Sequence, residues 1–286
     1  MPTKNVAAGV RTGTYLYYRH TLPVRVMHWI NVVALTILFL SGLNIFSAHP
    51  ALYWGKSSYT GRGPFFEISA KENANGDLVG VTRLFGHNFT TTGVLGASAG
   101  DEGDRVPRAF PSWLTIPDSR WLAMARRWHL FFAWVFVLNG LCYLGYVIAS
   151  RHLSRDLAPT RKDWRSIGAS IIDHLRFRHA AGDEAKRYNV LQKLAYLAVI
   201  FILLPLVILM GFAMSPWLDS FLPGWVDIVG GRQSARSIHF VVAWLLLAFV
   251  LIHVFEVIVS GFWNQLRSMI TGRYRVDVQA RDETAR

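Results

Sequence analysis

Four long stretches of the chain contain no Asp, Glu, Lys or Arg and consist mainly of apolar residues. They run Val26–Ala48, Trp128–Ser150, Leu194–Leu218 and Ser237–Phe255. Each is long enough to cross a hydrocarbon layer of about 30 Å as an α-helix that rises about 1.5 Å per residue. No alternating strand pattern is apparent, so the sequence predicts an all-α membrane protein, a four-transmembrane-helix bundle with a long loop between the first and second spans.

The composition supports this class, because 52% of the 286 residues are hydrophobic and only 17% are charged. A cleavable signal peptide is the alternative for the first stretch, with Ser47 and Ala48 at its cleavage site. A polar lead-in of 25 residues and the length of the apolar stretch fit a signal poorly. The lone Cys142 lies in the second stretch, which excludes disulfides, cysteine-ligated iron–sulfur clusters and covalently attached c-type haem.

The distribution of charge predicts how the spans are oriented. Residues 150–193 carry ten Lys or Arg against five acids, residues 47–120 carry seven against seven, and the first 25 residues carry four basic groups and no acid. By the positive-inside rule, both termini and the middle loop are cytoplasmic in a bacterial inner membrane, and the loops after the first and third spans are periplasmic. The net charge of +12 then reflects topology and contact with anionic lipids rather than nucleic-acid binding.

The predicted layout divides the chain into nine segments. They are a cytoplasmic tail (1–24), the first span (25–48), a long periplasmic loop (49–120), the second span (121–150), a basic cytoplasmic loop (151–190), the third span (191–214), a second periplasmic loop (215–235), the fourth span (236–262) and a cytoplasmic tail (263–286).

Two of these loops carry further patterns. In the cytoplasmic loop, apolar residues recur at helical spacing with arginines nearby, which predicts a helix lying in the membrane interface. These residues are Trp164, Ile167, Ile171, Ile172 and Leu175, with Arg165, Arg176 and Arg178. The long loop contains the aromatic tracts Tyr53–Lys56 and Gly61–Phe66. It is interpreted either as a docking surface for a partner or as a self-packed cap over the helix ends.

Four of the ten histidines, His28, His129, His239 and His253, lie in the spans, where ionisable groups are costly and suggest function. His239 and His253 are 14 residues apart on the fourth span, which places them on nearly the same face about 21 Å apart along the axis. The predicted topology pairs His28 with His253 near the cytoplasmic surface and His129 with His239 near the periplasmic surface. We therefore expect two bis-histidine haem b groups that transfer electrons and leave no open coordination position.

Arginines and glycines recur at positions suited to such a cofactor. Arg25, Arg126 and Arg236 each stand three residues before a predicted ligand and are candidates for binding haem propionates, although simple snorkelling explains each of them equally. Gly42 and Gly140 return to the faces of their helices' histidines and are predicted to make room for a porphyrin. Ordinary helix–helix packing is the alternative for these glycines.

One acid, Glu256, lies three residues after His253 at the cytoplasmic end of the fourth span. Together with Arg25 it is a candidate for binding a quinone or relaying its protons, while an ion pair between Glu256 and an arginine is the alternative.

The tracts Leu22–Trp29 and Arg127–His129 and the spacing of His239 and His253 resemble the bacterial cytochrome b subunits of nickel-iron hydrogenase, formate dehydrogenase and thiosulfate reductase. The resemblance covers all four spans and implies two haem b groups, exchange of electrons with quinone and anchoring of a catalytic subunit. It also implies the same four histidine ligands. The long loop after the first span is closest to the thiosulfate reductase type, some of whose members accompany periplasmic molybdopterin oxidoreductases.

The sequence therefore predicts an electron-transfer subunit between the quinone pool and a periplasmic oxidoreductase. A stand-alone cytochrome acting on a small diffusible redox partner is the first alternative. A histidine-based metal transporter is the second, and it would require polar or broken spans and acids beside the histidines.

Overall fold

A computed structural model of the chain describes residues 13–58, 61, 63–100, 102–117, 121–150, 158–175, 189–222 and 224–278. Four of its helices are long and apolar enough to cross a membrane, in agreement with the four predicted spans. The first span is Leu22–Ser47, the second Leu122–Ala149, the third Val190–Ala213 and the fourth Arg232–Val259.

The other helices and the strands of the described residues are short. The shorter helices are Arg161–Arg165, Ile167–Leu175, Pro216–Phe221, Trp225–Ile228 and Phe262–Thr271, with a single 3₁₀ turn at Ser112–Leu114. The strands are β1 (Gly13–Tyr18), β2 (Ala51–Leu52), β3 (Phe66–Glu72), β4 (Leu78–Leu84), β5 (His87–Thr90), β6 (Gly96–Ala99), β7 (Arg105–Arg108) and β8 (Arg273–Val278).

Backbone chemistry explains the irregular places in two of the spans. The third span contains a π-helical turn, Val199–Leu203, which ends two residues before Pro205. Proline cannot donate to the carbonyl four residues back, and a π turn is one way of absorbing that loss. The fourth span ends at Val259 and not at the predicted residue 262. Gly261, with φ of 102°, caps the start of the next helix in the left-handed region, where a glycine is favoured.

The chain divides into two compact units. The larger unit comprises residues 29–142 and 199–248, and the smaller unit comprises residues 1–28, 143–198 and 249–286.

In the larger unit, the segment between the first and second spans forms β-sheet. Strands β2, β3, β4 and β5 pair antiparallel in that order, and β6 pairs with β7. Asn73 shapes the turn between β3 and β4, because its Oδ1 accepts hydrogen bonds from the backbone N–H groups of Asn75 and Asp77. The prediction of an all-α protein is therefore wrong for this segment. Its strands are short and bury only a few positions each, so the pattern along the chain is weak.

This sheet has a core of its own that includes the end of the first span. Leu43 and Phe46 of the span pack with Leu52, Ile68 and Phe110. The buried Asn44 also donates a hydrogen bond to the carbonyl of Pro117. The structure of this unit thus agrees with a self-packed cap on the helix end. The docking interpretation concerns the outer surface of the same segment and remains a prediction.

The smaller unit contains the predicted interfacial helix and a ribbon formed by the two ends of the described chain. Trp164, Ile171 and Ile172 lie in the helices Arg161–Arg165 and Ile167–Leu175 and are exposed, whereas Arg176 and Arg178 lie outside the described residues. Lys193 of the third span binds Asp163 with a distance of 2.9 Å between Nζ and Oδ2. Strands β1 and β8 pair antiparallel, with Gly13 opposite Val278.

Candidate functional site

His129 and His239 face each other within the larger unit. Each is the eighth residue of its span, in helices that begin at Leu122 and Arg232. The centres of the two imidazole rings are 6.2 Å apart, and the ring planes are inclined by 62°. The structure therefore brings together the pair that the sequence predicts.

The Nδ1 atoms of both rings are engaged by the backbone of neighbouring spans. His129 Nδ1 lies 3.1 Å from the carbonyl oxygen of Leu38 and 3.1 Å from Ser41 Oγ. His239 Nδ1 lies 2.8 Å from the carbonyl oxygen of Val207. Because a carbonyl can only accept, Nδ1 carries the proton in both rings. The lone pair of a neutral imidazole is then on Nε2, the atom left for a metal.

His28 and His253 form the second pair, within the smaller unit. Their ring centres are 6.4 Å apart, with the planes inclined by 58°. His253 also stacks on Phe249, one turn earlier on the same helix, at 5.9 Å, and Tyr196 stands edge-on to it at 6.5 Å. Both predicted pairs are thus close in the structure, whereas iron ligation itself remains a prediction.

The spacing of the rings can be compared with that of two imidazoles on one metal ion. A metal–imidazole bond is about 2 Å long and the ring centre lies about 1.1 Å behind the bonded nitrogen, so two rings on opposite sides of one ion have centres about 6.2 Å apart. The observed separations are 6.2 and 6.4 Å. The residues present therefore fit a bis-histidine haem at each pair. Within the described ranges, no group of three or more His, Cys, Asp or Glu comes together to hold a metal ion.

The three candidate arginines have different surroundings. The guanidinium of Arg236 donates to the carbonyls of His49 and Ala51, the latter at 3.1 Å, and lies over the ring of Phe46. Arg25 donates to the carbonyl of Ile270, and its Nε is buried with no hydrogen-bond partner among the described residues. Arg126 is exposed. The Nε–H group of Arg25 is thus a buried donor that another group can accept. The guanidinium of Arg236 instead donates mainly to backbone carbonyls of the segment that follows the first span.

The candidate glycines also differ. A Cβ atom added to Gly42 would lie 3.4 Å from Cε1 of His129, which places Gly42 beside a predicted ligand. A Cβ atom added to Gly140 would meet no atom of the described residues within 4 Å, so the space beside it is open to another group as far as these residues extend. Glu256 is half-buried, three residues after His253. The roles of all three residues remain predictions.

Several residues that lie beside the histidines or join two spans were not predicted from the sequence. Gly211 stands against the ring of His239 as Gly42 stands against that of His129. Ser41, which is fully buried, was missed although it is adjacent to Gly42. Asn139 donates to Asn31 Oδ1 at 2.7 Å between the second and first spans. The sequence could have predicted the bond between the two asparagines, because polar side chains within a span generally form a hydrogen bond with another helix.

One further histidine, His49, lies just beyond the first span. Burial lowers its pKa, and the Arg236 guanidinium lowers it further, while Glu67 acts in the opposite direction. Its ring stacks on that of Tyr53 with 6.0 Å between the ring centres. At neutral pH this imidazole is therefore mainly uncharged.

Comparisons with known proteins give a consistent family. The family described as prokaryotic cytochrome b561 matches residues 19–272, a range that includes all four histidines of the spans. The chain is similar to the putative protein-methionine-sulfoxide reductase subunit YedZ1 of Azospira oryzae, with 28% identity over 239 residues that cover 84% of this chain and 89% of that protein.

It is also similar to the probable Ni/Fe-hydrogenase B-type cytochrome subunit of Cupriavidus necator. The identity is 26% over 158 residues, which cover 50% of this chain and 64% of that protein. No solved structure matches the chain.

Proposed function

The chain belongs to the prokaryotic cytochrome b561 family, and on that premise we propose that its two histidine pairs bind two haem b groups and pass electrons between membrane quinone and a periplasmic oxidoreductase. Family membership makes it a membrane haem-binding electron-transfer protein. The number of haems, the quinone and the place of the partner go beyond the family. The observation that carries the proposal is that both histidine pairs stand at the separation expected of two imidazoles on one iron.

The chain's own residues would hold and orient the cofactors. His28 with His253, and His129 with His239, supply the axial nitrogens. When bound, haem supplies reversible one-electron transfer, and two axial imidazoles leave no position for a substrate. The Leu38 and Val207 carbonyls keep the proton on Nδ1, so that Nε2 is presented as the ligand atom. The open space beside Gly140 is a place that a porphyrin can occupy.

The quinone would react beside the pair His28 and His253. Arg25 is in the same unit, and its Nε is a buried donor suited to a quinone oxygen. The carboxylate of Glu256, half-buried on the same helix as His253, is placed to take up or give a proton at its oxygen atoms. The basic loop at residues 150–193 supports a cytoplasmic location for this end of the spans, by the positive-inside rule.

The partner would dock on the segment between the first and second spans. Residues of this segment are joined directly to the start of the fourth span, which carries His239. Ser237 donates to the carbonyl of Tyr53 at 2.7 Å, and the N–H of Gly55 donates to Ser234 Oγ at 2.8 Å. Both relatives are named as subunits of oxidoreductases, which supports a partner enzyme, and the molybdopterin-containing type is the candidate that the long loop favours.

The proposal is tested by quinol-driven reduction of the purified chain in lipid nanodiscs. Reduced quinone is expected to reduce the haems of the wild type at a rate that a stopped-flow experiment can resolve. Arg25→Gln and Glu256→Gln should slow this reduction at least tenfold without changing haem content, because each removes a group that binds the quinone or moves its proton. Arg105→Gln, at an exposed position of strand β7, is the matched control and should reduce at the wild-type rate.

Wild-type haem that is not reduced by any quinol would contradict the quinone assignment. A tagged chain purified from its own host should bring an oxidoreductase subunit with it. Isolation of the chain alone, with haem reducible only by a small diffusible donor, would favour a stand-alone cytochrome.

A further inference from the structure

We propose that Gly42 and Gly211 are positioning residues for the pair His129 and His239, each leaving a carbonyl on its helix open for the imidazole that faces it. This inference rests on the proposed haem site. It concerns how the axial ligands are held, which neither the family nor the named relatives specify.

The same arrangement occurs twice, on two different helices. A Cβ atom at Gly42 would lie 3.4 Å from Cε1 and 3.7 Å from Nδ1 of His129. A Cβ atom at Gly211 would lie 3.5 Å from Cε1 and 3.7 Å from Nδ1 of His239. Both rings thus present the same edge to a glycine, with Nδ1 and Cε1 nearest to it.

The carbonyl that each ring reaches stands at the same offset from its glycine. His129 donates to the carbonyl of Leu38, four residues before Gly42, and His239 donates to that of Val207, four residues before Gly211. In an α-helix this carbonyl already accepts the glycine's own N–H, and its second lone pair remains available to an outside donor.

Helix geometry explains why the residue must be small. Side chains on an α-helix lean toward the N-terminus and cover the turn that precedes their own Cα atom. A side chain larger than a methyl group at position 42 or 211 would therefore lie over the carbonyl of residue 38 or 207, where the imidazole now lies. Glycine keeps that approach clear.

The hydrogen bond has a consequence for the metal. An Nδ1–H group that donates to a carbonyl makes Nε2 a more basic ligand, which favours the oxidised state of a bound iron. The hydrogen bond of the Nδ1–H group differs between the two rings. His129 Nδ1 lies 3.1 Å from both the Leu38 carbonyl and Ser41 Oγ and shares its hydrogen between them, whereas His239 Nδ1 donates to the Val207 carbonyl at 2.8 Å. Loss of either bond should raise the midpoint potential of this haem.

The test is a graded series at both positions, read by redox titration and by EPR of the oxidised protein. Gly42→Ala and Gly211→Ala place a methyl group in ordinary contact with the ring and should raise the potential of one haem slightly. Gly42→Val and Gly211→Val should raise it further and shift the low-spin EPR signal, which depends on the angle between the imidazole planes. The haem held by His28 and His253 should keep its potential and serves as an internal reference.

Gly145→Val is the matched control. Gly145 is exposed in the second span, between the exposed Leu141 and Ile148, and a Cβ atom there would meet nothing within 4 Å in the described part of the chain. Both haems should be unchanged in this variant.

The possible outcomes separate the inference from the proposed function. If a valine variant loses the haem, the midpoint potential of the corresponding alanine variant tests the inference. A raised potential supports it, and an unchanged potential contradicts it. Unchanged potentials and EPR signals in the alanine and valine variants, with both haems bound, would overturn the inference and leave the haem site intact. A wild-type chain without haem would refute the proposed function itself.

Discussion

Several buried polar side chains in and beside the spans find partners within their own unit. Lipid offers no hydrogen bonds, so a polar group left alone there would cost several kcal/mol. The Asn139 amide, for example, is 7% exposed and bonds to Asn31 on another span. The other pairs are Ser41 with the Ile37 carbonyl, Asn44 with the Pro117 carbonyl and Ser237 with the Tyr53 carbonyl.

The asparagine bond should contribute measurably to stability. Replacing Asn139 by Leu removes a bond between two spans and leaves the Asn31 carbonyl without this donor, so a destabilisation of about 1 kcal/mol is expected. A double-mutant cycle with Asn31→Leu and Asn139→Leu, followed by thermal unfolding in detergent, should give a coupling of about 0.6 kcal/mol. Strict additivity of the two single variants would show that the bond contributes nothing.

For single residues, the sequence predicts the features that depend on depth in the membrane and on spacing along a helix. The four histidines and their pairing follow from the periodicity of one helix and from the order of the spans. The Leu38 and Val207 carbonyls could not be predicted, because every residue carries the same backbone acceptor. Arg236 is an example. Its offset of three residues from His239 predicts that its guanidinium binds a haem propionate, and the structure shows in addition hydrogen bonds to the carbonyls of His49 and Ala51, which the sequence does not predict.

At the scale of elements, the spans and the segments between them differ in how clearly the sequence predicts them. A span needs only a long uncharged stretch, and the four long helices begin and end within four residues of the predicted spans. The sheet of strands β2 to β5 was missed because its inward positions are few, such as Ile68 on β3 and Thr82 on β4, and because much of its core comes from the first span. Such a strand acquires its buried face from residues far away in the chain.

The helix Arg161–Arg165 is joined to the third span by an ion pair whose strength depends on pH. The backbone N–H of Thr160, assisted by Lys193, lowers the pKa of Asp163 from 3.8 to about 2, although partial burial opposes the shift. A carboxyl group whose pKa is lower in the folded state stabilises that state above its unfolded pKa, and the stabilisation disappears as the pH falls through the folded value. Protection of residues 161–175 should therefore be constant above about pH 4 and decline towards about pH 2.

Asp163→Asn should mimic the acid limit at neutral pH. Removing a partly buried partner of Lys193 is expected to cost on the order of 1–3 kcal/mol, visible as faster hydrogen exchange and proteolysis of residues 161–175. The control is Arg165→Gln, at an exposed position of the same helix. Equal protection in wild type and Asp163→Asn would contradict this role of the ion pair.

For the molecule as a whole, we propose two separate sites of the same chemistry in one membrane protein. Each compact unit contains one histidine pair, and the fourth span contributes one histidine to each pair. A metal transporter would need acids and polar surfaces along a transport path through the spans. The histidines of these spans instead form pairs, at a spacing suited to one metal ion between the two rings. The two one-electron centres that we propose would suit a protein that links a two-electron quinone to a partner enzyme.

The most direct test is the haem content of the purified chain and of its single-histidine variants, expressed with ample haem and quantified by pyridine haemochrome. The account predicts about two b-type haems per wild-type chain, about one in His253→Ala and in His239→Ala with different spectra remaining, and two in the control His87→Ala. A chain that stays colourless, or a His253→Ala variant that keeps both haems, would contradict it.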